Sequence, residues 1–109
     1  MNFKKHIALV LLALSTFLIS CDKGYTVRFT NYSQHPIDSV IVGDKSLVFT
    51  NVEIQTVTDY RSLKKGKYAI ECVTKSKNRY YSSISIPSSG DGTRSIQIDG
   101  TNTIVVLEE

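Results

Sequence analysis

Beyond residue 20 the chain holds only three leucines and one alanine. In the same 89 residues valine, isoleucine, tyrosine, phenylalanine and threonine number 35. Packed helices are built from small side chains or ones not branched at Cβ, such as alanine and leucine, whereas β-branched and aromatic residues suit a pleated, half-buried surface. The composition therefore selects an all-β fold. Of the 45 apolar residues in the chain, 13 fall in the first twenty, which leaves 32 for the rest. That supports one small core and not two. Setting aside Lys4 and Lys5 from the thirteen basic residues leaves eleven against ten acids. Such a balance carries no electrostatic footprint for nucleic acid, so no nucleic-acid partner is expected.

The first twenty residues read as an address. Met1–His6 carries Lys4 and Lys5 and no acid, and Ile7–Ile19 is interrupted only by Ser15 and Thr16. As a helix that run covers about 20 Å, short of the ~30 Å a bilayer span needs. It is apolar on every side, so it does not suit one face of a globular core. A basic start and a short apolar run are the marks of a secretory signal peptide. Leu18-Ile19-Ser20-Cys21 then resembles the lipobox of bacterial lipoproteins: a branched apolar residue, a tolerant position, a small residue and an obligatory cysteine. The resemblance implies cleavage between Ser20 and Cys21. It also implies a diacylglyceryl group on the Cys21 thiol and fatty-acyl chains, such as palmitate, on its freed amine. Chains of that kind bind a bilayer at about 0.8 kcal/mol per buried methylene. The expected division is a signal peptide over 1–20, a short acylated linker over 21–24 and a domain over 25–109. The expected place is the bacterial cell envelope, on the outer or inner membrane, with the domain outside the cytoplasm. The strand pattern starts at Tyr25, so the tether is only about 10 Å long.

The remainder reads as seven or eight short strands. Tyr25–Asn31 alternates, with Tyr25, Val27 and Phe29 on one face and Thr26, Arg28 and Thr30 on the other. Ile37–Val42, Leu47–Thr50, Val52–Val57, Tyr68–Thr74 and Tyr80–Ile86 follow, with Val52, Ile54 and Thr56 expected on one face. Pro87–Gly92 is the plainest turn. Ser95–Ile98 and Thr103–Leu107 form an expected last hairpin. Short strands with a turn signal about every ten residues predict an antiparallel β-sandwich, with a small β-barrel as the alternative.

One segment carries a further resemblance. Asp59-Tyr60-x-x-Leu63-x-x-Gly66-x-Tyr68-x-Ile70 is similar to a segment of bacterial immunoglobulin-like and transthyretin-like sandwich domains. In it Leu63 closes one end of the core, Gly66 takes a positive φ, and the Tyr68 hydroxyl bonds backbone at the corner. The wider run Val27–Glu71 resembles secreted bacterial domains of unassigned function. The resemblance covers about half of the domain. It implies a binding, adhesive or spacer role.

The candidate chemical groups are scattered. His35, the one histidine beyond residue 20, precedes Pro36 in a loop and lacks a nucleophile elbow to serve. Cys72 sits mid-strand and reads as a small buried residue, with no intramolecular partner once Cys21 is acylated. Asp38, Asp44, Asp59, Asp91 and Asp99 stand singly, and a lone carboxylate in Ser88–Thr93 is too few for calcium. No metal and no cofactor is expected. Lys64, Lys65 and Lys67 and the group Lys75, Lys77 and Arg79 flank one strand, so they belong to opposite ends of the domain. Tyr32, Tyr60 and Tyr81 are the candidate exposed aromatic platform for a protein or sugar partner. Asp38-Ser39-Val40 resembles a short bacterial O-glycosylation acceptor, which makes Ser39 a candidate modification site. The expectation is a membrane-anchored, non-catalytic binding or accessory module that contacts a larger envelope protein or a glycan. A periplasmic inhibitor of a lysozyme-like hydrolase and a structural spacer are the rival readings.

Overall fold

The computed structural model describes residues 24–109. Ser20 and Cys21, and with them the expected cut and acylation, lie outside the described residues. Nine strands follow in chain order: β1 Tyr25–Asn31, β2 Ile37–Val42, β3 Leu47–Val52, β4 Thr56–Val57, β5 Arg61–Leu63, β6 Gly66–Thr74, β7 Arg79–Ile86, β8 Gly92–Ile98 and β9 Ile104–Glu108. They form two sheets. One runs β4-β1-β8-β9, with β5 also on β1, and the other runs β3-β2-β6-β7. The fold is an all-β sandwich. All pairs are antiparallel except β1 with β8, which run parallel in the middle of the first sheet.

Alternation explains the layers. Val27 and Phe29 on β1 and Ile96 and Ile98 on β8 point inward, against Val40, Val42, Phe49, Ile70, Cys72 and Ile84 of the second sheet. Full burial of such a side chain contributes about 1.5–3 kcal/mol. The rings of Phe29 and Phe49 join the two layers with centroids 6.3 Å apart. The sheets do not close into a barrel: β7 and β9 lie against each other with no ladder between them. On the other side, Arg61 Nη1 donates to the Val48 carbonyl at 2.6 Å and its guanidinium stands 5.7 Å from the Phe49 ring centroid. One side chain thus bridges β5 to β3.

The strand expected over Val52–Val57 is not one strand. β3 continues to Val52 and the chain then turns before the two residues of β4. Asn51 and Gln55 take φ of 52° and 62°, and the Thr56 hydroxyl donates to the Glu53 carbonyl at 2.7 Å. A period of two holds only for an extended backbone, and two left-handed residues break it. Ile54 consequently leaves the core and is 41% exposed. β5 has no alternation long enough to read, because its three residues exist as a strand only through pairing with Tyr25–Val27. Between β4 and β5 the Thr58 side chain replaces a ladder partner, its hydroxyl accepting from the Phe29 N–H at 2.9 Å.

Asn31 ends β1 and organises the next loop. Its side chain is fully buried and donates to the carbonyls of His35 (2.9 Å) and Val52 (3.1 Å). Its oxygen accepts from the Ser33 N–H (3.0 Å) and hydroxyl (2.6 Å). At the opposite end Tyr68 performs a similar task. Its hydroxyl donates to the Lys64 carbonyl at 2.9 Å, with the Lys65 carbonyl 3.2 Å away. The ring lies against two glycines with positive φ, Gly43 (67°) and Gly66 (141°), and a Cβ on Gly43 would stand 2.7 Å from its Cδ1. The β2–β3 turn can approach this ring only as glycine.

Candidate binding surface

The outer face of the first sheet follows from its register. Arg28 of β1 is level with Ser95 of β8, and Ser95 with Leu107 of β9. Tyr60 precedes Arg61, the partner of Val27, and so reaches the same level from the other side. The Arg28 guanidinium lies 4.8 Å from the Tyr60 ring centroid. It also meets Glu109 Oε1 through Nη2 at 3.0 Å and Nε at 3.2 Å. The Tyr60 hydroxyl donates to the other oxygen of Glu109. That hydrogen bond, helped by Arg28, holds the Glu109 carboxyl below the usual carboxylate range. The same bond is the main reason the Tyr60 phenol is pushed up. Beneath this cluster the Ser95 hydroxyl is buried with no partner among the described residues.

Apolar side chains flank the cluster. Val57 stands opposite Thr30, and Val105 opposite Gln97. Val57, Val105 and Leu107 are 51%, 38% and 42% exposed. Ile104 and Val106 of the same β9 pack on the core. β9 is therefore apolar on both faces, although only one of them is covered by the domain. The unbroken run Ile104–Leu107 was the available sequence signal, since a half-buried strand should alternate with polar residues.

The three tyrosines singled out in the sequence do not share one surface. Tyr60 belongs to the outer face of the first sheet, while Tyr81 stands beside Glu71 on the outer face of the second, 67% exposed. Tyr32 follows β1 at the far end of the first sheet, where its N–H donates to the Ile98 carbonyl at 2.9 Å. Four residues of strand, about 13 Å, separate it from the level of Tyr60. Alternation says inside or outside but not which sheet, and that is why the platform fails as a single unit. Ser39 is half-buried on β2, an interior strand, at an irregular register with β6. His35 is exposed, and its backbone carbonyl accepts from Asn31 and Ser33. Asp99 caps the β8–β9 turn. Its carboxylate accepts from the Thr101 hydroxyl (2.7 Å) and from the Thr101 and Thr103 N–H groups, which lowers its pKa.

Cys72 is fully buried in the middle of β6, and burial pushes its thiol from 9.0 up to about 12. A raised folded value means that stability is intact below the unfolded pKa and is lost as pH climbs toward the folded one. The stability advantage of the native protein over Cys72→Ala should therefore shrink above pH 9.0. The expected slope is about 1.4 kcal/mol per pH unit, read from urea melts of both proteins across that window. A gap that stays constant with pH would show that the thiol ionises freely in place.

Fold and surface together define a small two-sheet β-sandwich domain with an edge strand, β9, whose outer face is apolar and exposed. No protein-family model and no curated protein matches the chain. A solved structure, an NMR structure of a protein from Eubacterium rectale, overlaps 79% of this chain and 88% of its own at 13% identity, with a TM-score of 0.46.

Proposed function

We propose that this chain is a lipid-anchored module of the bacterial envelope, non-catalytic, which binds a larger envelope protein by accepting one of its strands at β9. The observation that carries the reading is the contrast between the two edges of the first sheet. At the β4/β5 edge the strands are two and three residues long, and Arg61 and Thr58 tie them to their neighbours. At the other edge β9 is hydrogen-bonded to β8 alone among the described residues, and β7 of the second sheet lies beside it with no ladder between them. It has neither proline nor lysine, and it exposes Val105 and Leu107. Natural sheets blunt free edges with such residues or with short strands, and an edge left open is a template for another chain. An added strand would enter beside β7 and pair through the N–H and C=O groups of β9 that β8 leaves unused, and side chains at alternate positions would meet Val105 and Leu107. The lipobox-like Leu18–Cys21 supports placing this encounter at a membrane.

The experiment is affinity capture from detergent-solubilised native membranes, with the wild-type chain and with Val105→Lys/Leu107→Lys as baits. A stoichiometric envelope protein should be retained by the first and lost by the second, by at least about tenfold, with the melting temperature unchanged. Retention of the partner by both baits removes β9 from the reading. Recovery of a soluble hydrolase would replace it with the inhibitor reading, and recovery of no partner with the spacer reading.

A further inference from the structure

We infer that the end of the domain bearing Lys45, Lys64, Lys65 and Lys67 is a seat for anionic lipid headgroups; this rests on the lipid anchor proposed above and specifies which face the anchor presents. Lys64 and Lys65 form the β5–β6 turn, Lys67 is the second residue of β6, and Lys45 lies in the β2–β3 turn. All of them belong to the end at which the chain enters β1, since Tyr25 pairs with Leu63 and with Gly92. Gly24, Leu63, Lys64, Lys65, Ser88 and Gly90 line an open groove of about 360 Å³ there.

Charge pairing separates the two ends. At the far end Lys75 and Lys77 each reach Asp38, at 3.6 and 3.7 Å, and Arg79 pairs with Glu71. At the near end none of the four lysines has an ion-pair partner among the described residues. The carboxylates of the turns at this end are Asp44, in the turn of Lys45, and Asp91, in the β7–β8 loop beside Gly92. Glu108 and Glu109 also reach this end, but Arg94 takes the first at 3.6 Å and Arg28 the second at 3.0 Å. Among the described residues, four lysines thus oppose two unpaired carboxylates at this end. The turn that carries two of them is held in shape by the Tyr68 hydroxyl on the Lys64 carbonyl.

Distance decides which end feels a membrane. Three residues separate Cys21 from Tyr25, which allows about 10 Å of extended chain. That is close to the Debye length of about 8 Å at physiological ionic strength. The nine residues of β6 place Lys75 and Lys77 about 30 Å further away, well outside the field of the surface. Only the near lysines can therefore be attracted to headgroups while the anchor is inserted.

The test uses the full acylated chain in liposomes of phosphatidylcholine alone or of an equimolar mixture with phosphatidylglycerol. The readout is hydrogen exchange. Amides of the Lys64–Lys67 turn and of residues 88–92 should exchange more slowly in the anionic liposomes, by about fivefold for each lysine that engages. The Lys75–Arg79 turn should be unchanged. At about 1 M salt, where the Debye length falls to ~3 Å, the difference should vanish. It should vanish also in Lys45→Gln/Lys64→Gln/Lys65→Gln/Lys67→Gln; if that variant does not fold, the lipid and salt comparison on the native chain decides. Equal exchange in both lipids, or slowing at Lys75–Arg79, overturns the inference and leaves the anchor standing. A chain that does not partition with liposomes at all overturns the anchor, and this seat with it.

Discussion

Asn31→Ala should lower the stability of the domain by about 3–4 kcal/mol, seen as a urea midpoint reduced by about 3 M for a domain of this size. An asparagine side chain has two donors and two acceptor sites, and here all four are used. The truncation removes more than four modest bonds. It leaves the Val52 carbonyl and the Ser33 N–H without the partners they were buried with, and an unsatisfied buried group costs about 1–3 kcal/mol. The loop that follows β1 would also lose its side-chain link to the end of β3, leaving only the main-chain bond from the Gln55 N–H to the Asn31 carbonyl nearby. Ser33→Ala removes only the hydroxyl and should cost about 1 kcal/mol. A loss for Asn31→Ala as small as that of Ser33→Ala would mean that water or a rearranged loop replaces the lost bonds.

Cys21→Ala should abolish acylation altogether. In cells fed a labelled fatty acid, the native chain is expected to carry the label and to begin at Cys21 by intact mass, and the variant to carry none. Two or three chains at about 0.8 kcal/mol per buried methylene make the native attachment effectively permanent. The geometry bears on the competing fate of this thiol. Cys72 lies six residues along β6 from Gly66, about 20 Å from the end where the chain enters, behind a tether of about 10 Å. A bridge between the two cysteines would require the sandwich to open, because Cys72 is fully buried. Label retained by the variant, or native material with Cys21 bare or joined to Cys72, would remove the anchor.

Local pattern carried a large part of the fold. Tyr25–Asn31 and Ile37–Val42 are strands with the bounds their alternation predicts, since side-chain period and burial are both properties of a short extended segment. The same reasoning failed at Val52–Val57, where Gln55 adopts a left-handed conformation that its residue type does not announce. It failed again at Arg61–Leu63, a strand that exists through a partner more than thirty residues away. The exposed surface suffered most. Val105 and Leu107 sit in a run that suggests burial on both sides, and only the arrangement of sheets shows that the outer face of β9 is left exposed.

Composition and period thus decided that the chain is all-β, where most strands lie and which of their residues face the core, because these follow from side-chain shape and a repeat of two. Tertiary structure alone decided that β1 runs parallel to β8, that Tyr60 and Tyr81 occupy opposite faces, and that β9 ends its sheet with no ladder to β7. It also set which lysines keep their charge unpaired. Each of those depends on pairing between segments distant in sequence. Several pairings bury the same side chains equally well, so burial pattern by itself cannot choose among them.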